Sequence, residues 1–430
     1  MLSTCRARYR LVALLVAALA GSACRGRDRP PTAESRWIAE RAVALRTIDP
    51  FDPELDDLEP LRTSIGDARV VLLGEQTHGE GSTFLVKTRL VRFLHERMGF
   101  DVLAIESGLF ACERAGEAIR RGVPARGAVR DAVFPVWAES RQFQPLVELL
   151  QASARTSRPL ALTGFDMQPT GRIGRDALAA QLRAGAGLAP GELAAYFRPV
   201  ETLLSGSIQR FRAVAQPERN AFHLAAAELA RRLDEREDEE GAFLAQVTRS
   251  TAVNACFFWD ADFDHPVPEV MNRRDAQMAE NLLWLAEERY PGRKIIVWAA
   301  TSHASRRRDL IERPIPDPGM VPMGQHLSER LGAAAYVVAV TSGAGRVGSA
   351  GTGAWDLAPP RPGSFEDHAE RSRVGAFFLD LRTNARGSWL GKPFPARPMG
   401  QLTMKAAWPE ILDAFVFVPA ATPSERMEEE

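Results

Sequence analysis

The chain has 430 residues, 45% of them hydrophobic and 25% charged, with a formal net charge of −1 at pH 7. That is the composition of an ordinary globular protein, long enough to bury a sizeable core in one large domain or two. It carries no basic stripe and no aromatic RNA-binding motif, which excludes nucleic acid as the expected partner.

The first segment reads as an address rather than as structure. Arg6, Arg8 and Arg10 precede an apolar run from Leu11 to Ala20, then Gly21-Ser22-Ala23 and Cys24. A basic region, a short apolar core and a small-residue cut site make a secretory signal over residues 1–23. The run is about half the length a membrane span requires. Cys24 sits where a bacterial lipoprotein carries its lipid, although Gly21 replaces the Leu common in such signals. The protein is therefore expected to be exported, either periplasmic or anchored to a membrane by lipid at Cys24. Residues 24–34, with Pro30 and Pro31, read as a tether. The other cysteines, Cys5, Cys112 and Cys256, show no framework spacing, and Cys112 and Cys256 are expected as free thiols.

Further on, residues 35–46 read as an amphipathic helix and residues 49–59 as a connector. An apolar run, Val70 to Leu73, stops at Gly74-Glu75-Gln76-Thr77-His78-Gly79. A helix-period segment follows, and a second apolar run, Val102 to Ile105, ends on Glu106. This is a strand, a loop loaded with ionisable groups, a helix and a parallel strand. Residues 110–122 and 141–156 read as helices, split by an aromatic loop from Phe134 to Trp137. A third strand, residues 159–164, runs into Asp166. Residues 172–260 show three- and four-residue apolar spacing and no strand. They are expected to be a helical insertion, either a lid or ordinary packing helices.

Residues 269–288 form a strongly amphipathic helix. The strand Lys294 to Ala299 leads into Ala300-Thr301-Ser302-His303. A helix over 324–331, a strand over 334–341, a Gly- and Pro-rich loop over 343–363, and strands at 375–381 and 414–418 complete the pattern, the last closing the sheet. The fold class expected is α/β, a mainly parallel central sheet flanked by helices with the helical insertion. In domain terms this gives an α/β core over 35–171, the insertion over 172–260, the rest of the core over 261–420 and a tail over 421–430.

Neither a G-x-S-x-G elbow, an H-E-x-x-H helix, a C-x-x-C pair nor a Walker loop occurs. What remains is a set of ionisable groups just past strand ends, where ligands of open α/β sheets bind. Glu75, His78, Glu106, Asp166 and His303 belong to it. Histidine titrates near neutrality and suits a general base. A carboxylate, Glu75 or Glu106, hydrogen-bonded to the other nitrogen of His78 would fix its tautomer. Such a base takes a proton from water, which attacks a carbonyl, and His303 can serve the oxyanion or the leaving alcohol. Lys87 reaches the site if its helix points across it. Asp166 is either a helix cap or a site residue, and Trp137 a pocket wall or core. No cofactor is assigned. His and carboxylates also bind divalent ions, so a metal-dependent hydrolase stays open.

The block from Leu72 to Gly108, LLGEQTHGEGSTFLVKTRLVRFLHERMGFDVLAIESG, resembles the signature of the erythromycin esterase family. The resemblance continues at RDAQMAEN from Arg274, at KIIVWAATSHAS and at MGQHLSERLG from Met323. It implies a hydrolase that opens an ester or lactone, macrolide-like or another small molecule, with His78 as general base. It also implies Glu75 and Glu106 as carboxylate partners, Lys87 as a basic binding position, and an α/β core with helices over the cleft. The family often has H-N-A-H where this chain has Ala300-Thr301-Ser302-His303, so one histidine is missing. The alternative expectation is a non-catalytic small-molecule-binding envelope protein on the same fold.

Overall fold

The computed structural model describes residues 29–312, 319–349 and 353–428. The expected signal, residues 1–23, and Cys24 lie outside the described residues. Described structure begins inside the expected tether. Arg29 pairs with Asp367 at 2.5 Å, and Thr32 caps the helix Ala33–Arg41 through the amide of Ser35. No helix among the described residues is long and apolar enough to cross a membrane.

Twelve strands occur in chain order: β1 (Val43–Ala44), β2 (Val70–Glu75), β3 (Phe100–Gly108), β4 (Ala161–Asp166), β5 (Lys294–Ala300), β6 (Ile311–Glu312), β7 (Ala335–Val347), β8 (Trp355–Leu357), β9 (Phe377–Asp380), β10 (Phe394–Ala396), β11 (Met404–Ala406) and β12 (Ala414–Ala421). Nine of them form one sheet in the order β1-β9-β12-β7-β2-β5-β3-β4, with β8 paired to β7. From β12 to β4 every neighbouring pair is parallel; β9 and β1 extend that edge antiparallel.

The near-continuous apolar runs of β2, β3 and β5 follow from this placement, because a parallel strand covered on both faces has no solvent side. The two faces divide the core by alternation. Val70, Leu72, Val102, Ala104, Ile295 and Val297 enter one apolar cluster. Val71, Leu73, Leu103, Ile105, Ile296 and Trp298 enter the other. Residues 171–260 hold helices and turns and no strand. Leu178, Tyr196, Phe222, Leu229 and Phe243 from that stretch pack into the same cluster as Val70 and Val102.

Several expected boundaries shift. The expected connector contains a 3-10 turn, Asp56–Leu58, and the helix Glu59–Ile65 begins at its last residue. The aromatic loop is a short helix, Pro135–Ala138, started by Pro at its first position. The expected Gly-rich loop is partly strand: β7 runs on to Val347 and β8 pairs back on it. Gly343, Gly345 and Gly348 fall at G-x-G-x-x-G spacing, but no helix follows, so the spacing is not a dinucleotide loop. Strand β12 does not close the sheet; it lies between β9 and β7. A small sheet, β10-β11-β6, and the helix Phe365–Ser372, capped by Ser364, were not anticipated. Both thiols are free, Cys112 buried and Cys256 half-buried.

Candidate active site

The carboxyl ends of β2, β5, β3 and β4 lie side by side, and each delivers an ionisable group from its tip. Gly74 permits this for β2. A Cβ there would stand 2.6 Å from Oγ1 and 2.9 Å from Cα of Thr301, so only glycine lets β2 run past the turn after β5.

Glu75 is the last residue of β2 and is fully buried. Its Oε1 accepts from Nδ1 of His78 at 2.7 Å and from Nε1 of Trp137 at 2.9 Å. Its Oε2 accepts from Nζ of Lys87 at 2.6 Å. Burial alone would raise the Glu75 pKa, but Lys87 and His78 hold it below the usual carboxylate range. The site stays charged because each of these donors is stronger for an ionised acceptor.

Lys87 and Trp137 were expected to touch substrate. Lys87 is fully buried and Trp137 is 1% exposed, so neither presents a face to a ligand. Both act on Glu75 from behind. The Lys87 ammonium also lies 3.9 Å from the Trp298 ring centroid and donates to the Ala299 carbonyl at 3.3 Å. Burial pushes the Lys87 pKa down to about 8, against the pull of Glu75.

The His78 side chain is 40% exposed. Its ring stands edge-on to Trp137 with centroids 4.8 Å apart. With Nδ1–H donated to Glu75, the tautomer is assigned and Nε2 carries the free lone pair. Burial opposes a charge on the ring, yet Glu75 and then Glu106 outweigh it and raise the His78 pKa above 6.5.

Glu106 and His303 make a second half, tied together by a residue the sequence reading did not assign. Glu106 Oε2 accepts the Ala300 amide at 2.7 Å, and Oε1 lies 3.3 Å from Nη2 of Arg274 and 3.6 Å from Nε2 of His303. Arg274 Nη2 also donates to Asp166 Oδ2 at 2.6 Å. Asp166, expected as a helix cap or a substrate-binding residue, is buried and pairs with Arg274 beside Glu106, and it does not cap the next helix, which follows Thr170.

His303 Nδ1 bonds Asp275 Oδ1 at 2.7 Å, and the same oxygen accepts the Met323 amide. When His303 is neutral, Nε2 accepts from Nη1 of Arg274 at 3.3 Å. When charged, Nε2 carries a proton and can no longer accept from Arg274, and Glu106 Oε1 at 3.6 Å is its ion-pair partner. Burial works against the charge, but Asp275 and Glu106 raise the His303 pKa above 6.5. Asp275 is held low by His303 and Arg274 despite its burial.

Arg274 and Asp275 were missed as site residues. They sit in the middle of the amphipathic helix Pro268–Trp284, and a charged pair there reads as a solvated face. The available signal was their position four and three residues before Met278, which places both on the apolar side.

The donor set bears on metal binding. Glu75 already receives three donors and Glu106 an amide and a guanidinium, while a carboxylate on Nδ1 is compatible with either a free or a ligating Nε2. Among the described residues no group of three or more His, Cys, Asp or Glu side chains is arranged to hold a metal ion.

Comparison with known proteins agrees with the geometry at the level of family and fold. The family model described as erythromycin esterase matches residues 95–421. A protein of Bacillus subtilis named "Putative hydrolase YbfO" is 26% identical over 434 residues, covering 96% of this chain and 97% of that one. An erythromycin esterase type II of Escherichia coli is 40% identical over 72 residues, 17% of each chain. Among solved structures, a Bacillus cereus protein superposes with a TM-score of 0.73 at 22% identity, over 92% of this chain and 98% of that one. A mutant of the erythromycin esterase EreC, in its open conformation, superposes with a TM-score of 0.67 at 18% identity, over 91% and 99% of the two chains. The likeness of the two structures is one of fold.

Proposed function

The chain belongs to the erythromycin esterase family of hydrolases, and from that premise we propose that it opens an ester or lactone by general-base activation of water at His78. The observation that carries this reading is the His78 ring, anchored through Nδ1 to a buried, ionised Glu75 while Nε2 stays free and accessible.

In the proposed step, Nε2 of neutral His78 removes a proton from water as the water oxygen bonds the carbonyl carbon. Glu75 stabilises the imidazolium that forms, as a carboxylate behind a histidine does in other hydrolases. Lys87 and Trp137 keep Glu75 ionised and fixed; they are positioning residues. The carbonyl oxygen becomes an oxyanion, and in this reading it takes hydrogen bonds from Arg274 and charged His303, whose own charges are balanced by Glu106, Asp166 and Asp275. Collapse expels the alcohol, which takes a proton from His303 or from the imidazolium of His78. No covalent bond to the protein is required. A metal-free reaction is favoured over the metal-dependent alternative because Glu75 already receives three donors and Glu106 an amide and a guanidinium. The substrate is a small-molecule ester or lactone, macrolide-like in the first instance. Export, with or without lipid at Cys24, belongs to the same proposal; cell fractionation tests it.

The test is to incubate the full chain with a panel of macrolides and small lactones and look by mass spectrometry for the gain of one water. Turnover that disappears in His78→Gln and survives a chelator supports the reading. Full turnover in His78→Gln overturns it. Ligand binding without any hydrolysis across the panel would favour a binding protein instead.

A further inference from the structure

A second group of buried ionisable side chains lies directly under the loop that carries His78. Its centre is Glu80, two residues on, fully buried, with neither carboxyl oxygen hydrogen-bonded among the described residues. An ionised carboxylate left in that state would be very costly. The groups facing it come from several elements: Thr83 from the helix Gly81–Met98, Ser342 from β7, Glu75 from β2, and the Arg397 guanidinium. Arg397 is the cation on this side of the loop, and it also faces Glu366 and Glu370 of the helix Phe365–Ser372. Glu370 has Arg29 as well as Arg397 near it, and Asp367 beside it, so Arg397 is shared and leaves Glu80 without a cation of its own.

The hydrogen-bond directions point the same way. The Ser342 hydroxyl donates to Gln76 Oε1 at 3.1 Å, so its oxygen is left to accept. The Gln76 amide in turn donates to the Arg397 carbonyl at 2.6 Å. A protonated Glu80 fits the open end of this chain as a donor; a carboxylate does not. Gln76 and Glu80 bracket His78 on either side. The same loop is pinned by the amides of Gly348 and Ser424 on the Gly79 carbonyl.

We propose that Glu80 is a positioning residue for His78: its carboxyl stays uncharged beneath the loop 76–80 and keeps that loop seated on the ends of β7 and β12. Burial, with Glu75 adding to it, lifts the Glu80 pKa to about 7 in spite of Ser342, Thr83 and Arg397. Glu80 therefore begins to ionise in the neutral range, and the seat of His78 loosens above it. This inference does not rest on the reaction proposed above, because it can be read without any substrate.

The experiment compares the full chain with Glu80→Gln, which keeps shape and neutrality. At pH 8 the variant should unfold about 2–4 °C above the natural protein, and at pH 4, below the ordinary carboxyl value, the two should coincide. In an NMR titration of the His78 ring, the natural protein should show a second inflection near pH 7 besides the ring's own, and Glu80→Gln should lose only that one. An equal change in unfolding temperature at both pH values, or an unaltered His78 titration, overturns the proposal. Should Glu80→Gln fail to fold, infrared spectra of the natural protein decide. The same spectra are taken of a variant with Glu366→Gln and Glu370→Gln, whose own carboxyls burial also raises; a carboxylic-acid carbonyl band present in both proteins at pH 6 and fading by pH 8 supports the proposal, and its absence from the variant at pH 6 overturns it.

Discussion

At the scale of single residues, the site is a matter of which nitrogen is left free. His78 spends Nδ1 on Glu75 and keeps Nε2 for water, so the rate should follow the neutral ring. Because Glu75 and Glu106 raise the His78 pKa above 6.5, the acidic limb of a pH–rate profile should have its midpoint above that value. Lys87 opposes that shift and also lowers the Glu75 pKa. Lys87→Met should move the limb to still higher pH. The same variant leaves Glu75 buried without its ammonium, and unfolding experiments should show a loss of about 3–5 kcal/mol. An unmoved limb would mean that Lys87 does not act through Glu75. The residues ahead of the strand tips were legible in the sequence because an apolar run that stops on a charge marks its own end. Arg274 and Asp275 were not. Their partners, Asp166 and His303, lie 108 and 28 residues away, and the spacing to Met278 marks the inward face of the helix without naming the charges it meets there.

At the scale of elements, close approach decides what the sequence can spare. The helix Leu109–Arg120 lies on β4 with Gly116 at the contact, where a Cβ would stand 2.2 Å from the Leu162 carbonyl oxygen. Alanine is a better helix former than glycine by about 1 kcal/mol. Gly116→Ala should nonetheless destabilise the protein, by roughly 1–3 kcal/mol, as overpacking does. A chemical denaturation curve checks it, and a gain in stability would mean the helix can lift off β4 freely. The interior strands were readable because two covered faces impose unbroken apolar runs. Of the antiparallel additions, β9 was readable as the strand expected at 375–381, and the shorter ones were not. Strands β6, β8, β10 and β11 are only two or three residues long, too short for alternation to register. Their existence depends on partners brought in by the fold. The helix Phe365–Ser372 did carry a signal, Ser364 three residues ahead of Asp367, which now accepts that residue's amide.

At the scale of the whole molecule, the same charges that build the cleft set how stability depends on pH. Glu75, Glu106 and Asp275 have folded-state pKa values below their ordinary 4.5, 4.5 and 3.8. Such groups contribute stability that is present above the ordinary value and lost as pH falls through the lowered one. His78 and His303 are raised above 6.5. Their contribution is complete below 6.5 and lost as pH rises through the raised value. Glu80, lifted from 4.5 to about 7, adds a loss over that interval for the same reason of sign. The unfolding temperature should therefore be highest just above the carboxylate range, fall steeply below it, and decline on the alkaline side first through Glu80 and then through the histidines. The alkaline fall should be shallower in His303→Gln, which removes one of the two raised rings while leaving His78 and Glu75 in place. Thermal melts of both proteins across that range measure the difference directly. Parallel slopes above pH 6.5 would mean that His303 is uncharged in the fold, and the oxyanion side of the cleft would then rest on Arg274 alone.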